Sequence, residues 1–115
     1  MTKLLAVPAT EWRAFFDRLS KGLFGKRVDI EVASLELGDQ VMAEWMPLVG
    51  ITYDSGDDLL DVALDGGTNH LIRHPREIVV EEDAGSVRSV AVVDGEGTRQ
   101  VVKLREPLTL PSRTP

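Results

Sequence analysis

His70 and His74 are the only histidines in the chain, and Arg73, Arg76 and Glu81 stand close to them in sequence. Two imidazoles four residues apart can act as a metal pair or as an acid–base pair, depending on the backbone that carries them. On a helix, positions i and i+4 share a face and can share an ion. On a strand they also share a face, but they stand about 13 Å apart at ~3.3 Å per residue. That is too far for one ion with metal–nitrogen bonds of about 2 Å. Pro75 directly follows His74 and disfavours helical dihedrals there. The strand reading therefore prevails, and no metal site is expected.

A tight turn at Pro75-Arg76 would set His70 opposite Glu81 and His74 opposite Glu77. Cross-strand pairs of this kind contribute from about 0.2 to 1 kcal/mol. The register stays open, because proline first in a turn suits type I while two-residue hairpins prefer types I′ and II′. The candidate polar patch is His70, Arg73, His74, Arg76 and Glu81, read as a solvated hairpin face.

Other acidic groups carry less. Asp54-Ser55-Gly56-Asp57-Asp58 has the oxygens that attract Ca²⁺ or Mg²⁺, but it lacks the alternation and terminal glutamate of an EF-hand loop. It reads as a turn. Neighbours in Glu81-Glu82-Asp83 point to opposite faces of a strand, so they form no carboxylate dyad. There is no G-x-S-x-G elbow, no phosphate-binding loop of the P-loop kind and no dinucleotide fingerprint. Asp94-Gly95-Glu96-Gly97 has no helix signal after it and reads as a hairpin turn. With no cysteine in the chain, disulfides and thiolate sites are excluded. No catalytic residue and no cofactor is expected.

The elements that would position these groups follow from periodicity. Over residues 10–22, Trp12, Phe15, Phe16 and Leu19 fall at i, i+3, i+4 and i+7, one face of a helix. Thr10 is the expected N-cap, and Gly22 the expected left-handed stop. From residue 27 the period becomes two, as in Val28, Ile30 and Val32, with turn residues every 8–12 positions. The expected fold is α+β: one N-terminal amphipathic helix on an antiparallel β-meander of about 6–8 short strands, curled toward a barrel or half-barrel. Residues 1–110 form a single domain, and residues 111–115 a flexible C-terminal tail.

Charge narrows the partners. The net charge is −6, and no Lys or Arg lies between Val28 and Ile72. That acidic middle would repel a phosphate backbone, so nucleic acid is not an expected partner. The apolar run Leu4–Val7 is too short for a secretory segment, and no stretch approaches a membrane span. No membrane partner is expected, and the location is read as cytoplasmic.

Pro8-Ala9-Thr10-Glu11-Trp12 with Phe15-Phe16, then Pro47-Leu48-Val49-Gly50-Ile51-Thr52-Tyr53-Asp54, then His70-Leu71-Ile72-Arg73-His74-Pro75-Arg76-Glu77-Ile78 and Val80-Glu81-Glu82, together resemble DUF5335. This is a bacterial family of short stand-alone proteins of unknown function. The resemblance spans about Pro8 to Leu110 and implies a free-standing bacterial protein, with no activity or functional residue to carry over.

The function expected from these readings is a non-enzymatic binding or accessory module, acting on a protein partner or on itself as a homodimer. Trp12, Trp45 and Met46 are the candidate interaction surface, because Trp45 and Met46 fall on opposite strand faces beside Pro47. The alternative is a small-ligand-binding protein or small enzyme with a pocket near Tyr53, His70, Arg73 and Glu81.

Overall fold

The computed structural model describes residues 2–34 and 38–108. The chain runs β1 (Thr2–Ala6), a 3₁₀ turn (Ala9–Glu11), α1 (Trp12–Leu23), β2 (Arg27–Ser34), β3 (Gly38–Asp54), β4 (Leu59–Leu64), β5 (Thr68–Arg73), β6 (Glu77–Asp83), β7 (Ser86–Val93) and β8 (Arg99–Leu108). The eight strands form one sheet in the order β1-β6-β7-β8-β2-β3-β4-β5, with every pairing antiparallel.

The α+β class agrees with the sequence reading, but the architecture differs in four respects. The sheet is not one meander: β2–β5 and β6–β8 are two meanders joined by the β2–β8 pairing. It is not closed into a barrel, since β1 and β5 remain as its two edges. The strands are not all short, for β3 has 17 residues. A strand, not the helix, comes first, because Thr2–Ala6 adds to the edge of β6. A five-residue run without alternation or turn signals gave no periodicity by which to read it. The expected tail at 111–115 lies outside the described residues.

Alternation decides which face of the sheet is inside. Val28 and Ile30 of β2, Leu60, Val62 and Leu64 of β4, Val90 and Val92 of β7, and Val102 and Leu104 of β8 are all buried. The helix covers this concave face. Trp12, Phe15, Phe16, Leu19 and Leu23 are its buried residues, each gaining about 1.5–3 kcal/mol from leaving water. Trp12 Nε1 donates to the Val7 carbonyl at 2.8 Å, and its ring meets Tyr53 edge-on at 5.3 Å.

One hydroxyl fastens helix to sheet. Ser20 Oγ donates to the Ile51 carbonyl at 2.7 Å and accepts from the Ile51 N–H at 2.8 Å. The helix ends differ from expectation. Thr10 lies in the 3₁₀ turn, and the N-cap position is Glu11, whose side chain makes no capping hydrogen bond. Gly22 stays helical, where a Cβ would come within 2.9 Å of Leu108. The left-handed glycine is Gly25, at φ +80°.

The long strand β3 serves both meanders. Its first part pairs with β2 and its second with β4. Between Val28↔Met46 and Ile30↔Ala43 it carries an extra residue, and Trp45 in that bulge has φ +47°. A left-handed tryptophan costs roughly 1–2 kcal/mol, and the bulge re-aims the strand toward its second partner. Trp45 and Met46 are both half-buried, with Met46 packed on the core.

Candidate functional site

β5 and β6 do not form the hairpin that Pro75-Arg76 suggested. β5 pairs with β4, placing His70 opposite Val62, while β6 pairs with β1 and β7, placing Glu81 opposite Leu4 and Ser89. His70 therefore does not face Glu81, nor His74 Glu77. The linker His74-Pro75-Arg76 instead crosses between distant strands and rests on the β7–β8 turn. Arg76 N–H donates to the Val93 carbonyl at 2.8 Å. Gly95 makes this approach possible, because a Cβ there would lie 2.9 Å from the His74 Cβ.

The resulting corner holds an open cleft of about 790 Å³, whose lining includes Asp58, Leu71, Arg73, His74, Arg76 and Gln100. Two polar chains build its walls. In the first, Asp94 Oδ1 accepts the N–H groups of Glu96 and Thr98 at 2.9 and 3.0 Å, closing its own turn. Its Oδ2 accepts from Gln100 Nε2 at 2.9 Å, and Gln100 Oε1 meets His70 Nε2. A carboxylate only accepts, so the Gln100 amide nitrogen must face Asp94 and its oxygen must face His70. His70 thus carries its proton on Nε2, an assignment made from the network. Asp94 and Gln100 are buried.

In the second chain, Tyr53 O–H donates to Asp58 Oδ1 at 2.7 Å, and His74 Nδ1 lies 3.3 Å from Asp58 Oδ2. The hydrogen bond to Asp58, followed by burial, raises the Tyr53 pKa. His74 N–H also donates to the Asp58 carbonyl at 2.8 Å. Both residues are left-handed, at φ +50° for Asp58 and +52° for His74. Such non-glycine positions cost of order 1–3 kcal/mol, and they persist only where their surroundings impose them.

Arg73 and Arg76 are exposed on this cleft. Neither has an ion pair or side-chain hydrogen bond among the described residues. Of the expected polar patch, the structure brings Arg73, His74 and Arg76 together and sets His70 behind them through Gln100. Tyr53 joins through Asp58.

Glu81 is elsewhere. It accepts from Ser89 Oγ at 3.1 Å on the convex face of the sheet. There Ser89 opposes Lys103, and Lys103 opposes Asp29, so one polar rung crosses four strands. Lys103 Nζ pairs with Glu31 Oε2 at 2.8 Å. The lysine's hydrogen bond holds Glu31 below the usual carboxylate range. Burial first, then the charge of Glu31, pushes the Asp29 carboxyl upward, and Asp29 Oδ1 is buried without a partner.

Trp12 is buried in the core, so of the three residues expected to offer an interaction surface it presents none. Asp58, Asp94, Gly95 and Gln100 were missed as site residues. One signal was present for Gln100: it shares a strand face with Val102 and Leu104, where a polar residue breaks the apolar alternation. The Asp54 turn is closed by its own carboxylate, which accepts from Gly56 N–H at 2.9 Å and from Asp57 N–H at 3.3 Å. Among the described residues, no group of three or more His, Cys, Asp or Glu could hold a metal ion, and no helix is long and apolar enough to cross a membrane.

An open, curled antiparallel sheet with one helix in its concavity, and a corner cleft carrying two unpaired guanidinium groups, places the protein among small α+β proteins. A family model described as "Family of unknown function (DUF5335)" matches residues 4–113. An uncharacterized protein of Aquifex aeolicus (strain VF5) is 42% identical over 106 residues, covering 92% of this chain and 96% of that protein. No solved structure matches. The chain belongs to the DUF5335 family.

The convex rung gives a pH prediction. A raised Asp29 pKa means that the folded chain binds this proton more tightly than the unfolded chain. The associated stability is present at low pH and is lost as pH rises through the folded value. Asn imitates the protonated carboxyl. Asp29→Asn is therefore expected to raise the urea midpoint at pH 7, with the gain shrinking in mildly acidic buffer. A variant less stable than the parent at pH 7 would contradict the assignment.

Proposed function

We propose that this protein is a non-enzymatic binding module, and that its recognition site is the corner cleft, which takes a small organic anion. The observation that carries this reading is the pair Arg73 and Arg76. Two unpaired guanidinium groups face one cleft in a chain of net charge −6, where carboxylates to neutralise them are plentiful. Guanidinium groups hold carboxylates through paired, charge-assisted hydrogen bonds. Leu71 and Pro75 supply apolar wall beside them, the usual companion of a few placed polar groups in a ligand site.

Binding is favoured over catalysis because the cations of the cleft that lack a partner among the described residues are guanidinium groups, which stay protonated and do not exchange protons with a substrate. His70 Nε2 is held by Gln100, and His74 Nδ1 by Asp58. Strain at Asp58 and His74 fits a site whose geometry is set before a ligand arrives. Citrate and succinate are suitable probes at constant ionic strength. Saturable amide shifts in an NMR titration are expected at Gly95 and Glu96. In the Arg73→Gln/Arg76→Gln double variant, affinity is expected to fall by about tenfold or more. Equal binding by parent and double variant would refute the reading.

A second reading, self-association, is supported by β3. Among the described residues, 38–46 have β2 as their one strand neighbour, which leaves this segment as an open edge. Val41 and Met42 are 58% and 54% exposed. Open apolar edges pair readily with other chains, and the occupant suited to this one is the same segment of a second copy. Sedimentation over a concentration series is expected to show a dimer that Met42→Glu abolishes. A parent that stays monomeric at high concentration would remove this reading and leave the cleft untouched.

A further inference from the structure

The turn between α1 and β2, together with the end of β8, holds a second cationic feature, remote in sequence from the corner cleft. Lys26, Arg27 and Arg105 line a depression of about 390 Å³, in which Glu106 is the one carboxylate. All three cations are exposed, and none has an ion pair among the described residues.

Register makes this more than a scatter of surface charge. β2 and β8 pair as Asp29↔Lys103 and Val28↔Leu104. The paired ladder ends at Val28↔Leu104, so Arg27 and Arg105 each flank its last pair, and both line the depression. Like charges held near one another repel. Within the ladder, Asp29 with Lys103 matches opposite charges, whereas just beyond its end two guanidinium groups line one depression. An anion between them would turn that repulsion into attraction.

The backbone below is fixed. Gly25 N–H donates to the Leu48 carbonyl and Lys26 N–H to the Leu23 carbonyl, each at 2.8 Å. Gly25 is left-handed, and a Cβ built on it would meet nothing within 4 Å, so the floor beside the cations is open.

We propose that Lys26, Arg27 and Arg105 form a binding site for a phosphoryl group. Two guanidinium forks and one ammonium match the charge and the several acceptor oxygens of a phosphate dianion better than those of a single carboxylate. The group could be carried by a soluble phosphomonoester or by a lipid headgroup, and the two sources separate experimentally.

The test titrates the full chain with inorganic phosphate against sodium chloride at equal ionic strength, following backbone amides by NMR. The expected result is saturable shifts at Gly25, Lys26, Arg27 and Arg105, with affinity reduced about tenfold or more in Arg105→Gln. Without phosphate, Arg105→Gln is expected to match or exceed the parent's urea midpoint because one of three neighbouring cations is removed, so lost binding is not lost folding. A parallel arm sediments the protein with phosphatidic acid vesicles and with phosphatidylcholine vesicles. Response to free phosphate supports the site and a soluble source. Sedimentation with phosphatidic acid alone, lost in Arg105→Gln, supports the site and a headgroup source. Shifts that chloride reproduces, binding that survives Arg105→Gln, or no response in either arm would overturn the proposal.

Discussion

Three residues must carry the chain from β5 to β6, and this constraint shapes the rest of the molecule. In the sheet order the two strands stand six positions apart. In a flat sheet that is about 29 Å at ~4.8 Å per strand. The linker His74-Pro75-Arg76, counted from Arg73 to Glu77, spans about 14 Å at most. The sheet must therefore curl until its far edge returns toward its near one. Curling creates the concave face that α1 fills, and it brings β5 over β8. The chain Asp94–Gln100–His70 joins those strands across the interior, where no backbone ladder does.

That polar chain explains why the cleft and the fold are hard to separate. A buried carboxylate and a buried amide would each cost free energy if left unpaired. Here every link has a partner: two turn amides on one Asp94 oxygen, the Gln100 amide on the other, and His70 at the end. Such a network orients more than it stabilises. It fixes the β7–β8 turn, the turn supports the linker, and the linker presents Arg73 and Arg76. The convex rung around Lys103 is built differently: it crosses adjacent strands, matches charges, and leaves Asp29 short of one partner.

How much of this was legible depends on whether a residue's role is local. The amphipathic face of α1 was legible because burial of Trp12, Phe15, Phe16 and Leu19 obeys a 3.6-residue period that any partner surface would demand. The alternation of β2 was legible for the same reason. Strand order was not, because alternation states which face is inside and nothing about neighbours. Pro75-Arg76 therefore read as a hairpin turn although it is a crossover. The patch His70, Arg73, His74 and Arg76 was found by sequence proximity, and it held together because one strand end and its linker carry all four. Glu81 was attached to it by the hairpin alone and left with it. Asp94 and Gln100 reach the site through tertiary contact, and only the break in the apolar face at Gln100 hinted at them. β1 pairs at long range with β6, and its five exposed residues carry no pattern to announce that.

The central claim is that a buried hydrogen-bond chain from Asp94 through Gln100 closes on His70 and holds the curled sheet and its cleft in one arrangement. The imidazole tautomer of His70 tests it most directly. Long-range ¹H–¹⁵N correlation spectra at neutral pH should show His70 as a single tautomer protonated at Nε2, with that proton slow to exchange. Replacing Gln100 with Leu should abolish both features. A Nδ1-protonated ring, or rapid averaging between tautomers in the parent protein, would contradict the account.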